Sequence, residues 1–233
     1  MRMKMKKSII AILIVMLLCS TSVFAATLDD GYYYGEPKVD DYLGLNVGAS
    51  FVYETYEAAS GNVVDKALQF YGGFSEFAFF GNSPLGIYFD AGVLINIEDS
   101  YNPSDVSKSP AYADVMLGMA YRIDLESRSQ LILSFGPEFT YFTNEYTYID
   151  SYEKVYVEKT FMTMGVTLGA EVLYRLGQDF YFSIGGKGSV MFLKWVTKEK
   201  TTWHGSTSES EIDDTEGYYG YRVVPKAGFY FKF

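Results

Sequence analysis

Tyr219-Gly220-Tyr221-Arg222-Val223-Val224-Pro225-Lys226-Ala227-Gly228-Phe229-Tyr230-Phe231-Lys232-Phe233 closes the chain, and its alternation decides the fold. Every second residue from Tyr219 gives Tyr219, Tyr221, Val223, Pro225, Ala227, Phe229, Phe231 and Phe233, an apolar face. The intervening residues are Gly220, Arg222, Val224, Lys226, Gly228, Tyr230 and Lys232, a face with three cations and two glycines. A strand sends alternate side chains to opposite sides, so this stretch has one greasy face and one charged face. Chain ends are usually frayed and polar. Here the final residue is Phe233, read as the closing residue of the last strand.

The same period of two recurs upstream. Leu43, Leu45, Val47, Ala49, Phe51 and Tyr53 alternate with Gly44, Asn46, Gly48, Ser50 and Val52. Leu85, Ile87, Phe89, Ala91, Val93, Ile95 and Ile97 oppose Gly86, Tyr88, Asp90, Gly92, Leu94, Asn96 and Glu98. Comparable runs cover 113–123, 131–141, 163–175 and 180–192. The stretch from Val64 to Phe80 differs. Leu68, Phe70, Gly72 and Phe74 share a face, then Phe77 and Phe79 carry the aromatics, which predicts a phase slip and bulge near Ser75 or Glu76. Pro137 lacks an N–H and predicts a bulge or a weakened ladder. Eight strands emerge, each of at least the 9–11 or so residues that a tilted membrane strand needs. Short turns follow strands two, four and six; longer connections, 99–110, 143–158 and 197–217, follow strands three, five and seven.

The polar faces contribute Asp90, Asp114, Glu138 and Glu171 against Arg122, Arg175, Lys187, Arg222 and Lys226. The two signs nearly balance, which suits a narrow interior where buried charges must be paired. An eight-stranded barrel is just wide enough for side chains to fill it. The apolar faces would then point to hydrocarbon. Two interfacial girdles are expected at the strand ends: Phe77, Phe79, Tyr121, Tyr174, Phe180, Phe231 and Phe233 by the short turns, and Tyr53, Tyr141, Phe161, Trp195 and Tyr219 by the loops. The fold expected is all-β: an eight-stranded antiparallel up-and-down transmembrane β-barrel over 41–233.

The opposite end reads as an export signal. Arg2, Lys4, Lys6 and Lys7 precede an apolar run from Ile9 to Leu18, and Val23-Phe24-Ala25 fits a small-x-small cleavage site, giving a signal peptide at 1–25. Cys19 is the single cysteine, and Leu18 stands where a lipoprotein motif wants a small residue. Residues 26–40, with Tyr32-Tyr33-Tyr34, read as a periplasmic N-terminal lead-in. Residues 1–25 hold four positive and no negative side chains, so their removal takes the net charge from −10 to −14. A chain this acidic lacks the basic footprint of nucleic-acid binding.

These residues together resemble the small outer-membrane β-barrels of the OmpA, OmpX and OmpW type, from about residue 41 to the end. The resemblance implies the cell outer membrane as location, both termini in the periplasm and loops outside the cell. It implies outer-membrane lipid as surroundings, a monomer, and a closing strand (Phe229, Phe231, Phe233) that forms the signal read by the barrel-assembly machinery. The connections 99–110, 143–158 and 197–217, with Tyr146, Tyr148 and Tyr152, point to a structural or surface-interaction role, with host or surface ligands met through them. An OmpW-like channel for small or apolar solutes is the alternative, and a lipid A-modifying enzyme a third. No phosphate-binding glycine loop, paired zinc motif or nucleophile elbow occurs, and no cofactor is expected. His204, Ser206 and Glu216 could supply a Ser–His–acid set, but they sit in a low-complexity stretch, whereas a triad needs rigid support. Glu209, Glu211, Asp213, Asp214 and Glu216 read better as a solvated acidic loop than as a cation site. No catalytic or metal-binding residue is assigned.

Overall fold

The computed structural model describes residues 39–58, 61–80, 83–99, 111–126, 128–150, 153–203, 206–212 and 218–233, all within the unit Lys38–Phe233. Nine strands are present among them: β1 (Val39–Ala58), β2 (Gly61–Phe80), β3 (Leu85–Asp99), β4 (Ala111–Glu126), β5 (Ser129–Asp150), β6 (Glu153–Arg175), β7 (Phe180–Trp203), β8 (Ser206–Ile212) and β9 (Tyr219–Lys232). The strands β1 to β7 pair with their neighbours in sequence, and β9 pairs with both β7 and β1. Eight antiparallel staves therefore close into a ring, as the alternation predicts, and no strand edge is left along that ring. The ninth strand, β8, pairs only with the upper end of β7 among the described residues. The barrel begins at Val39, two residues before the expected start. The leader and residues 26–38 of the lead-in lie outside the described residues.

The ends of the ring are tied down. The Phe233 N–H donates to the Asp41 carbonyl at 2.9 Å, and the Lys232 N–H to the Asp179 carbonyl at 2.8 Å. Two prolines interrupt the ladders. Along β1–β9 the pairing passes from Gly48↔Lys226 to Phe51↔Val223, skipping Pro225. Along β4–β5 it passes from Met116↔Glu138 to Met119↔Phe135, skipping Pro137. Neither gap shifts the register. A missing N–H removes a rung without adding a residue, so Pro137 weakens the ladder and makes no bulge.

Two expectations fail here. There is no phase slip near Ser75; β1–β2 pairing runs unbroken from Val39↔Phe80 to Ala58↔Gly61. Phe77 and Phe79 keep the inward phase of Tyr71 and Ser75 and are buried in the lumen, so they are not girdle residues. The one irregularity of β2 with β3 falls at Leu68/Gln69. Second, much of what read as loops at 143–158 and 197–217 is strand. The β5–β6 hairpin continues to Asp150↔Glu153, and β7 runs 24 residues to Trp203 before β8 returns along it. Strands of 22–24 residues exceed the 9–11 or so that cross a bilayer, so this sheet continues past the membrane.

The outside is a continuous apolar band. Leu45 is 74 % exposed and Leu168 67 %, in company with Leu43, Val47, Leu117, Met119, Leu133, Phe135, Val166, Ile184, Val223 and Phe229. In water a surface of this extent would drive aggregation. Against lipid tails it is the surface that fits, and the closed strand ladder pairs the backbone there except at the rungs that the two prolines remove. Tyr121, Tyr174, Phe231 and Phe233 are exposed at the turn end of the band, Tyr141 and Tyr219 at the loop end. Phe180 is half-buried and stacks on Phe229 at 5.4 Å. Phe161 turns inward instead, stacked on buried Phe142 at 5.0 Å.

Candidate functional site in the barrel lumen

The inward faces fill the barrel in tiers. At the turn end, where both ends of the ring meet, Asp40 accepts from Arg122 Nη1 at 2.8 Å and pairs with Lys232 Nζ at 2.7 Å. Above this rim lies an aromatic tier: Tyr42, Phe77, Phe79, Tyr88, Tyr181 and Tyr230, packed with Met116, Ala120, Ile132 and Leu173. Phe77 stacks on Tyr88 at 4.7 Å and on Tyr230 at 5.5 Å, and Tyr42 meets Tyr181 edge-on at 5.4 Å. Each such pair adds about 0.5–1.5 kcal/mol beyond area burial. Glycines make room for these rings. A Cβ on Gly44 would stand 2.5 Å from the Tyr230 ring, and one on Gly92 would run into the Tyr71 ring.

The charged tier comes next. Asp90 on β3 is its hub, fully buried, with five donors on two oxygens. Oδ1 accepts from Tyr71 at 3.0 Å and Lys187 at 2.6 Å; Oδ2 accepts from Ser75 at 2.6 Å, Tyr88 at 2.8 Å and Lys226 at 2.9 Å. Lys187 also meets Asp114 Oδ2 at 2.5 Å and Glu138 Oε1 at 3.0 Å. Lys226 also meets Glu171 Oε1 at 2.8 Å. Glu171 accepts from the Tyr230 hydroxyl, and Glu138 from that of Thr167. Arg222 donates to Thr140 at 2.8 Å and stands 3.7 and 3.6 Å from Asp114 and Glu138. Burial on this scale is tolerable only because each charge has opposite partners and hydrogen bonds.

Nearer the loop end, Tyr71, Leu94 and Val224 pack with Tyr112. Beyond them Lys194 bonds Glu54 at 3.1 Å, and the Tyr218 hydroxyl donates to the other Glu54 oxygen at 3.0 Å. The Lys194 ammonium lies 5.0–5.3 Å from the ring centres of Phe142, Phe161 and Tyr218, a cation–π setting.

Seven of the nine expected lumen residues thus meet in one cluster: Asp90, Asp114, Glu138, Glu171, Lys187, Arg222 and Lys226. Two do not. Arg122 faces inward at the turn-end rim, where it pairs with Asp40, and the aromatic tier separates it from the cluster. Arg175 is exposed at the end of β6. Alternation assigns a face, and both arginines have the inward phase, but it says nothing of height along the barrel. Conversely, Asp40, Glu54, Lys194 and Lys232 entered no expected network. Lys194 was hidden by a β-bulge: Gly165 pairs with Met191 and Met164 with Leu193, so Phe192 is an extra residue and the inward phase flips after it. The aromatic tier did leave a trace, since Tyr88, Tyr181 and Tyr230 all fall on polar faces in the sequence.

Phe229, Phe231 and Phe233 are exposed on the outside of β9. His204 and the acids Asp213, Asp214 and Glu216 lie outside the described residues. Among those described, no three His, Cys, Asp or Glu side chains are placed to hold a metal ion.

No protein-family model matches the chain, and no characterised protein matches it by sequence. Solved structures do. A major outer-membrane protein from Thermus thermophilus superposes with a TM-score of 0.53 at 15 % identity, over 83 % of this chain and 99 % of that one. Neisserial surface protein A gives a TM-score of 0.45 at 14 % identity, over 82 % of this chain and 97 % of its own. Ail, the attachment invasion locus protein of Yersinia pestis, gives 0.43 at 11 %, over 82 % and 99 %. The first of these carries the comparison, and what it shows is the fold. The chain has the fold of the small outer-membrane β-barrels, and its apolar outside and charge-filled inside place it in the outer membrane.

Proposed function

We propose that this protein is a structural and surface-interaction barrel: a plugged stave ring that anchors the extended β5–β8 sheet and its connections at the cell surface. The filled lumen carries this reading. Aromatic side chains close the turn-end half, an ion-paired cluster fills the middle, and Lys194 with its three rings caps the loop end. A route for solute would need the Asp90 hub dismantled, five hydrogen bonds at once. The charges are therefore bracing, and interaction falls to what the barrel lifts above the membrane. Tyrosines at 146, 148, 152 and 156 enrich that region, and Tyr156 is exposed; rigid amphipathic rings give contact area at low entropy cost.

The experiment is single-channel recording of the purified, refolded chain in a planar bilayer. A silent membrane over a wide voltage range is the expected result. Steps of reproducible size would overturn the plugged reading and favour the small-solute channel. A lipid A-modifying activity is tested separately: lipid A from cells with and without the chain is expected to be the same.

A further inference from the structure

The charged tier has an odd number of members. Asp90, Asp114, Glu138 and Glu171 are acids; Lys187, Arg222 and Lys226 are bases; none of the seven is more than 4 % exposed. With all seven ionised, one negative charge is left over, away from water. The pair above, Glu54 with Lys194, is itself balanced and leaves the excess where it is. A buried group in that position escapes the cost by becoming neutral.

The hydrogen bonds show which acids bear the excess. Asp90 has five donors. Glu171 has Lys226 and the Tyr230 hydroxyl. Asp114 is the least well supplied, with Lys187 alone at close range, and Glu138, held by Lys187 and the Thr167 hydroxyl, stands beside it. They are diagonal neighbours on the inner face, since Met116 lies opposite Glu138 and Asp114 opposite Thr140. They share Lys187, and Arg222 Nη1 stays 3.6–3.7 Å from both. Asp114 Oδ1 is buried with no hydrogen-bond partner, and Glu138 Oε1 has only the Lys187 ion pair. Two cations, Lys187 and Arg222, each approach both carboxyls, so the two acids stand side by side, yet two ionised carboxylates offer only acceptors.

We propose that Asp114 and Glu138 hold one proton between them at neutral pH, as a carboxylic acid hydrogen-bonded to a carboxylate. The proton turns an acceptor–acceptor contact into an O–H···O⁻ bond, which is short and strong. It also brings the tier to three negative and three positive charges. Two side-by-side carboxyls sharing a proton is the general answer to like charges in one site. The groups around the pair are accounted for: Asp90 on β3, Glu171 and Thr167 on β6, Lys187 and Ser189 on β7, Arg222 and Lys226 on β9, with Tyr71 on β2 turned to Asp90.

Infrared spectroscopy of the full chain, refolded in detergent at neutral pH in heavy water, reads this directly. The carbonyl stretch of a protonated carboxylic acid, separate from the amide band, is expected in the wild type. It is expected to vanish in Asp114→Asn and in Glu138→Gln and to survive in Asp40→Asn at the rim, which leaves the seven charges of the tier as they are. Absence of the band in the wild type overturns the proposal, and so does a band that both of the first two substitutions leave in place. Asp114→Asn is the neutral likeness of the protonated acid, so it is expected to fold with an unchanged unfolding midpoint. Its failure to fold would count against the proposal as well.

Discussion

Lys187 on β7 and Asp90 on β3 meet at 2.6 Å across the centre of the barrel, 97 residues apart in the chain. Neither strand pairs with the other, so this contact braces the ring along a chord. Removing one partner strands the other in a dry interior. Lys187→Met is expected to lower unfolding stability by about 3–5 kcal/mol, the range for a broken buried ion pair. Urea titration of the detergent-refolded barrel, followed by the shift in gel mobility between unheated and boiled samples, measures it. An unchanged midpoint would mean that the charged tier is ornamental.

Phe77→Ala tests the aromatic tier. Phe77 is 1 % exposed and stacks on Tyr88 and Tyr230. Truncation is expected to cost about 3–5 kcal/mol in the same titration. If Phe77 belonged to the lipid-facing girdle, the cost would be small and alanine would be tolerated.

That residue also shows how far the sequence could be read. The alternation puts Asp90 on β3 and Arg222, Lys226 and Lys232 on β9 on the inward face, because an aliphatic face and a charged face contrast strongly. On β2 both faces hold phenylalanine, so Phe70 and Phe74 outside and Phe77 and Phe79 inside look alike until the register is known. The upper ends of β5 to β8 are mostly polar, with buried Val155 and Val157 on β6 as an exception. Beyond the bilayer neither face must be apolar, so their pairing leaves no period-two signal. Bulges are silent as well: nothing local announces that Phe192 is an extra residue, and Lys194 goes unseen because of it.

Gly92→Leu is expected to destabilise by about 1–3 kcal/mol or to block refolding, the cost of overpacking a filled interior. A Cβ there would collide with the Tyr71 ring and approach Asp114 Oδ1 to 2.7 Å. Gly72→Ala on the neighbouring strand is the control, since its Cβ would meet only ordinary contact at 3.6 Å. Equal behaviour of the two substitutions would contradict the close approach.

On the outside, Leu168→Arg is expected to cost about 2–4 kcal/mol when the barrel is refolded into lipid vesicles, because Leu168 lies within the apolar band. Phe233→Arg, on the edge of the band, is expected to cost about 1 kcal/mol or less. Equal penalties would place the membrane elsewhere on the barrel.

Phe231→Ala with Phe233→Ala separates recognition from stability. Both side chains are exposed and add little to the interior. Refolding in detergent is expected to proceed as in the wild type, while the amount of assembled barrel in cells falls several-fold. Comparable losses in both settings would show that the two residues act through the fold and carry no signal.

The seam between β1 and β9 has a consequence for how the molecule comes into being. Its rungs join residues 164 to 190 positions apart, from Thr55↔Tyr219 to Tyr42↔Lys232. Hairpins between neighbours can form as soon as both arms exist, but this join waits for the final stave. Until then the nascent protein is an open ribbon with two raw margins, prone to stick to whatever strand it meets first. Maturation is therefore all at the end: no portion of the ring is safe before the whole of it is.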